Sequence, residues 1–405
     1  MFIARQPIFN KVMEVYGYEL LFREGSDSTN FTGASATHAT ASVISSLFES
    51  GIDQIVDDKR AFINFDAEFI NSDLPELIES HRLIIEVLED VIVDAQLIER
   101  LTSLKKKGYR IALDDFDASY NDYPLVAIAD IIKYDLMVTP LHSIAGEVKM
   151  ALAQNKVLLA EKVETEAEFI EAKNMGFSLF QGFFFSKPSI IGKANHKANT
   201  KVQYSRIISE LVKDEPSYQI LAEIIEKDVN LAYRVMRIIS SRAGDDLVYS
   251  IKRALTYMGL KEIERWINIL MMQDLGSNKP KELMILSLVR TKFAESIAIH
   301  ANLKKYKYEA SMMGLFSTID AMLDQNMSEA LEGISLPKSI KDSLIEHEGI
   351  LMPIFNLLNA YEHGDWERSF ELVQNLKLNE EDLFDSYMDA VRWARETVRL
   401  MYLKS

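Results

Sequence analysis

The sequence predicts an α/β barrel of the TIM type in its first half and an all-α bundle in its second, and three observations carry that prediction. Short apolar runs alternate with helical stretches of about ten to fifteen residues over roughly the first 185 positions, the pattern of a parallel sheet with right-handed crossovers. The runs end on polar oxygens, one after another. From about residue 201 onward only helical periodicity remains. Seven or eight strands in so short a stretch fit a closed barrel better than an open sheet.

In chain order, Phe2 to Phe9 and Glu14 to Phe22 alternate polar and apolar around Asn10-Lys11 and read as an N-terminal hairpin. Ala34 to Ser50 carries Val43, Ile44, Leu47 and Phe48 at helical spacing and stops at Gly51. Strands are then expected at Ala61 to Phe65, Leu83 to Val87, Arg110 to Asp115, Ile131 to Asp135, Val157 to Glu161 and Ser178 to Gln181. Helices are expected between them at Asp66 to Glu79, Asp94 to Lys107, Leu125 to Ala129, Ile144 to Gln154 and Thr165 to Met175. Between Lys187 and Lys201 the chain turns polar and basic and loses its period. The expected division is therefore a barrel over 1–190, a linker over 191–200 and a helical half over 201–405. That half closes on a long amphipathic helix, Glu380 to Leu403, with Asn379 as its N-cap.

Composition agrees with two folded domains. The chain has 405 residues, 48% of them hydrophobic, with 9 prolines and 16 glycines, too long for one ordinary core and rich enough to bury two. There is no cysteine, which excludes disulfides, thiolate metal sites and a cysteine nucleophile and fits a reducing compartment. A formal net charge of -16 argues against a broad surface for long nucleic acid. The start Met1-Phe2-Ile3-Ala4-Arg5-Gln6-Pro7 has no leader-like apolar run, and no apolar stretch reaches the length of a bilayer span, so the expectation is a cytoplasmic protein without a membrane segment.

The strand ends carry the chemistry. They read Glu19, Asn64, Glu86, Asp114-Asp115, Lys133 with Asp135, Glu161 and Gln181. One acid at a strand end is an ordinary solvated turn; a set in register converges on one mouth of a barrel. Glu, Asp and Asn oxygens without Cys, and without His among these positions, suit hard cations such as Mg²⁺ or Mn²⁺. Two such ions, about 3.5 to 4 Å apart, are the usual device for in-line phosphodiester hydrolysis.

These residues resemble a known family. Tyr18-Glu19-Leu20-Leu21-Phe22-Arg23, Phe62-Ile63-Asn64-Phe65, Ile85-Glu86-Val87-Leu88-Glu89, Leu113-Asp114-Asp115-Phe116, Lys133-Tyr134-Asp135, Ala160-Glu161-Lys162-Val163-Glu164 and Gln181-Gly182-Phe183 look like the ordered motifs of EAL domains, the cyclic di-GMP phosphodiesterases of bacterial signalling. The resemblance implies one metal held by Glu19, Asn64, Glu86 and Asp114, and a second served by Asp115 and Asp135, the ions being Mg²⁺ or Mn²⁺. It implies that Lys133 and Glu161 position and deprotonate the attacking water, that Arg23 and Gln181 face the substrate cyclic di-GMP, and that Glu89 and Glu164 anchor the loop after Asp115. The chain departs from the family in that loop, Phe116-Asp117-Ala118-Ser119-Tyr120-Asn121, which lacks the family's glycines, and at Lys162, where the family has Gly.

The helical half resembles the HDOD domain, a relative of HD-GYP phosphohydrolases, through Leu221 to Val235 and Ser250 to Leu260. Where a working HD enzyme has its His-Asp ligands this chain reads Leu315-Phe316-Ser317-Thr318-Ile319-Asp320, and no His-Asp pair occurs anywhere. His300, His347 and His363 have no ligand spacing. The half is therefore expected to regulate or dock onto a protein partner, and the resemblance leaves room for a homodimer. Two readings follow: a metal-dependent phosphodiesterase giving linear pGpG, or an inactive EAL-like receptor or scaffold acting through protein contacts.

Overall fold

The computed structural model describes residues 2–23, 52–88, 91–117, 119–187, 197–243 and 250–402. Eight strands close into a barrel in chain order: β1 (Phe2–Asn10), β2 (Val15–Arg23), β3 (Arg60–Phe65), β4 (Leu83–Val87), β5 (Arg110–Leu113), β6 (Ile131–Asp135), β7 (Val157–Glu161) and β8 (Leu179–Gln181). β1 runs antiparallel to both β2 and β8, and the other neighbours pair in parallel. The expected α/β barrel with an N-terminal hairpin followed by a helical half is what the chain forms.

Local chemistry sets the hairpin and the helix starts. Asn10 Oδ1 accepts from the backbone N–H of Val12 and of Glu14, both at 3.0 Å, so the side chain stands in for a turn. Asp94 caps the helix Ala95–Lys106, and Thr165 with Glu168 forms a capping box at Glu166–Met175. Two expected helices differ. Asp66 to Glu79 is a short helix Ala67–Asn71 and a 3₁₀ turn Leu74–Leu77, because Ser72 hydrogen-bonds its neighbours' backbone and Pro75 donates nothing. The segment expected as a helix at Leu125 to Ala129 is a 3₁₀ turn led by Pro124. The helix expected over 34–50 lies outside the described residues.

Inside the barrel, Ile8, Phe62, Ile84, Ala112, Ile131, Leu159 and Leu179 form one buried apolar layer. Gly17 makes room for it: a Cβ there would lie 2.8 Å from the Phe62 ring. This layer is the floor on which the polar strand ends stand.

The chain forms two compact groups. One holds 1–185 together with Asn359–Asn375 and Asn379–Phe384; the other holds Ser186–Leu358, Leu376–Leu378 and Asp385–Ser405. The sequence reading puts everything after 200 into one helical half, whereas two stretches of that half pack with the barrel. The reason is aromatic: Phe2 meets Tyr361, Trp366 and Phe370, with ring centroids at 5.9, 5.9 and 4.7 Å. Of the expected linker, 197–200 already belong to the helix Lys197–Leu211, and the rest lies outside the described residues. The second group is helical throughout its described elements, with long helices at Leu260–Leu275 and Lys281–His300 and most of the helix Glu380–Tyr402 among them.

Candidate active site

The alternation of a strand fixes the site. Two residues beyond Phe62, Ile84, Ala112, Ile131, Leu159 and Leu179 stand Asn64, Glu86, Asp114, Lys133, Glu161 and Gln181, on the same inward face one step nearer the mouth. β1 runs the other way, so the step goes backward from Ile8 and reaches Gln6. Gln6 is a site residue that counting forward along each strand misses; only the direction of the first hairpin strand reveals it.

Lys133 is the centre of this layer and is wholly buried. Its Nζ lies 2.5 Å from Asp114 Oδ1, 2.6 Å from Glu86 Oε1, 2.9 Å from Glu161 Oε1 and 3.6 Å from Glu19 Oε1. Glu86 Oε1 thus faces the Lys133 ammonium, while Glu86 Oε2 is buried without a hydrogen-bond partner. Burial, opposed by Lys133, raises the Glu86 carboxyl well above its usual range. Burial likewise pushes Glu161 up to about 8. The four carboxylates in turn hold the Lys133 ammonium charged against its own burial.

The other expected residues are placed as follows. Asn64 Nδ2 is 3.4 Å from Glu19 Oε1, and Gln181 Nε2 donates to Glu19 Oε2 at 2.5 Å and to Gln6 Oε1 at 3.0 Å. Asp115, exposed and at φ +38°, continues past the end of β5, which stops at Leu113 rather than at Asp115 as expected. Asp114, Asp115 and Glu161 each turn one oxygen to within 4.8 Å of the others'. Asp135 is buried on β6 but does not join that grouping; it pairs with Lys162. Arg23 is exposed at the end of β2 with its guanidinium carbon 5.8 Å from the Phe370 ring centre. Glu164 is exposed beside the capping box, its N–H donating to Glu168. Glu89 lies outside the described residues.

The glycine-poor loop is held by packing instead of by turn glycines. Phe116 is buried among Tyr120, Tyr123 and Tyr134, each edge-on to it, and its N–H donates to Lys133 O at 3.0 Å. Asp114 N–H donates to Val87 O at 3.1 Å, so the Asp pair is tied to β4 on one side and β6 on the other.

Gly182 sets the opposite rim. It takes φ +141°, and a Cβ there would fall 2.2 Å from Val163 O, while Val163 N–H donates to Gln181 O at 3.0 Å. Gly182→Ala is therefore expected to lower stability by about 2–4 kcal/mol through strain and overlap. Urea unfolding measures it, and a loss under about 1 kcal/mol would show that the rim yields.

The donor set fits a hard divalent cation. Asn64 Oδ1, Glu86 Oε2 and Glu161 Oε2 are buried acceptors without a hydrogen-bond partner, all in one polar layer and all oxygen. In the second group, His300 Nδ1 lies 3.4 Å from Ser386 Oγ, and His347 ends a helical turn at φ +57°. His363, of the first group, stacks on Phe183 at 3.9 Å.

The two parts of the chain match two known domain families. The EAL domain family model matches residues 2–188 and the HDOD domain model residues 200–348. The uncharacterized protein YuxH of Bacillus subtilis is 32% identical over 404 residues, covering 97% of this chain and 98% of that protein. A Vibrio cholerae protein named cyclic di-GMP phosphodiesterase CdgJ is 32% identical over 405 residues, covering 99% of this chain and 94% of that one. Among solved structures, the EAL-domain protein YkuI of Bacillus subtilis, in complex with substrate c-di-GMP and calcium, aligns at 22% identity and a TM-score of 0.40, over 61% of this chain and 69% of that one. With both domain models matched in this order and relatives aligned end to end, the chain belongs to the family in which an EAL domain is followed by an HDOD domain.

Proposed function

We propose that this protein is a metal-dependent phosphodiesterase that opens cyclic di-GMP to linear pGpG, with the helical HDOD half serving regulation or docking on a protein partner. The observation that carries the reading is the polar layer around Lys133, in which four candidate ligands and the candidate base share one inward face and keep buried acceptor oxygens unsatisfied. The full-length likeness to a relative named for this activity supports it.

Glu19, Asn64, Glu86 and Asp114 would hold a Mg²⁺ or Mn²⁺ ion. When bound, such an ion supplies Lewis acidity toward a phosphoryl oxygen and eases loss of a proton from water. Glu161, with Oε2 unpartnered, would accept that proton. Lys133, fixed by its four carboxylates, keeps Glu161 at 2.9 Å and orients the water. Gln181 offers its unpartnered Oε1, and Arg23 its exposed guanidinium, to the nucleotide. Glu89 and Glu164 would anchor the loop after Asp115. In the proposed division, the barrel through 190 acts on the nucleotide, 191–200 links, and 201–405 regulates or docks, apart from the stretches that pack with the barrel.

The test is direct. Purified protein with cyclic di-GMP and Mg²⁺ or Mn²⁺ is expected to yield linear pGpG, and Glu161→Gln to yield none. No product above that control would overturn the enzyme. A second reading, a nucleotide receptor without turnover, is favoured by one feature, the Lys162–Asp135 pair at the expected second metal. Cyclic di-GMP binding in Ca²⁺ without turnover in Mg²⁺ or Mn²⁺ would identify it.

A further inference from the structure

We propose that the barrel holds one divalent ion rather than two, because the Lys162 ammonium occupies the carboxylate that a second ion would need. The inference rests on the metal-dependent reading above and concerns the residues that set the ion count.

Three observations set Asp135 apart from the other expected ligands. Asn64 Oδ1 and Glu86 Oε2, on the first-ion side, are buried without a hydrogen-bond partner, as is Oε2 of the candidate base Glu161. Asp135, by contrast, has both carboxylate oxygens engaged: Oδ1 accepts from Met137 N–H at 2.8 Å and Oδ2 pairs with Lys162 Nζ. Among the described residues, Asp115, the other acid expected at the second ion, converges with Asp114 and Glu161, and Asp135 is not in that group. A second ion at Asp135 Oδ2 would have to displace a tethered cation, while Oδ1 keeps its backbone donor.

The backbone explains why the lysine is there. Lys162 stands at φ +52°, a conformation that favours glycine, and the residue after it is bound to β8 through Val163 N–H to Gln181 O at 3.0 Å. A glycine at this position would present no charge and leave Asp135 Oδ2 open. Lysine at the same position places a cation on that oxygen while leaving the side chain partly exposed to the mouth. A single charge on a tether thus stands where the second ion's charge would act.

The test counts ions in the full-length protein by Mn²⁺ equilibrium dialysis and Mn²⁺ electron paramagnetic resonance. Wild type is expected to bind one Mn²⁺ tightly per chain, without a spin-coupled pair. Lys162→Gly and Lys162→Asn, both compatible with a positive φ, are expected to bind two, with a coupled signal. Adding Asp135→Asn to either should return the count to one. Two ions in wild type, with one lost in Asp135→Asn, would overturn the proposal, and so would a count of one in both Lys162 variants. No tight Mn²⁺ in any of these proteins would instead remove the metal reading of the site, and this inference with it.

Discussion

Lys133→Met is expected to abolish hydrolysis of cyclic di-GMP, by about three orders of magnitude or more, and to cost the ion-free protein about 3–5 kcal/mol of stability. Methionine fills a similar volume, so the loss is electrostatic. Lys133 has no exposed surface and sits within 3.6 Å of four carboxylates; removing its charge leaves Glu19, Glu86, Asp114 and Glu161 facing one another. Protonation relieves part of this, since burial already favours the neutral forms of Glu86 and Glu161, so the penalty should be largest at alkaline pH and shrink as pH falls through about 8. Mn²⁺ should stabilise the variant by about 2.7 kcal/mol at a hundred times the variant's own dissociation constant. Urea unfolding with and without Mn²⁺ measures both effects. Equal stability of wild type and Lys133→Met in the absence of the ion would mean that the carboxylates do not depend on this lysine.

Most of that layer is legible in the sequence because a barrel strand has a fixed period and direction. Once an apolar residue is inside, the residue two further on is also inside, and for six strands that rule reaches Asn64, Glu86, Asp114, Lys133, Glu161 and Gln181. It fails at Gln6 for a geometric reason: β1 is antiparallel to β2 and β8, so its mouth lies at lower numbers. Asp135 reads as a strand-end acid of β6 and is buried there, but its partner is not legible. Only the turn at Lys162, with a positive φ that glycine usually supplies, brings that ammonium back onto Asp135. The loop after Asp115 is legible as a departure, yet its support is not, because Tyr134 and Tyr123 reach Phe116 from other segments.

Phe2→Ala is expected to destabilise the barrel by about 3–5 kcal/mol, although Phe2 is far in sequence from every catalytic candidate. Its ring is fully buried among Tyr361, Trp366 and Phe370, so truncation leaves a cavity and removes three aromatic contacts. The same contacts fasten the hairpin: Ile3 N–H donates to Tyr361 Oη at 3.3 Å, and Gln6 Nε2 donates to Glu362 O at 3.1 Å. Gln6 in turn accepts from Gln181, which donates to Glu19, so the clasp continues by hydrogen bonds to a candidate metal ligand. Phe2→Leu, which refills most of the volume, should lose less than Phe2→Ala. Hydrogen exchange at the amides of β1 and β2 locates the effect; faster exchange confined to other segments would count against the clasp. A chain cut near residue 193 should show the larger loss, since it removes all three aromatic partners at once. Any change in hydrolysis on such a cut must therefore be separated from simple loosening of the barrel before it is credited to regulation by the HDOD half. Full-length Phe2→Ala supplies that control, because it loosens the clasp while leaving every helix in place.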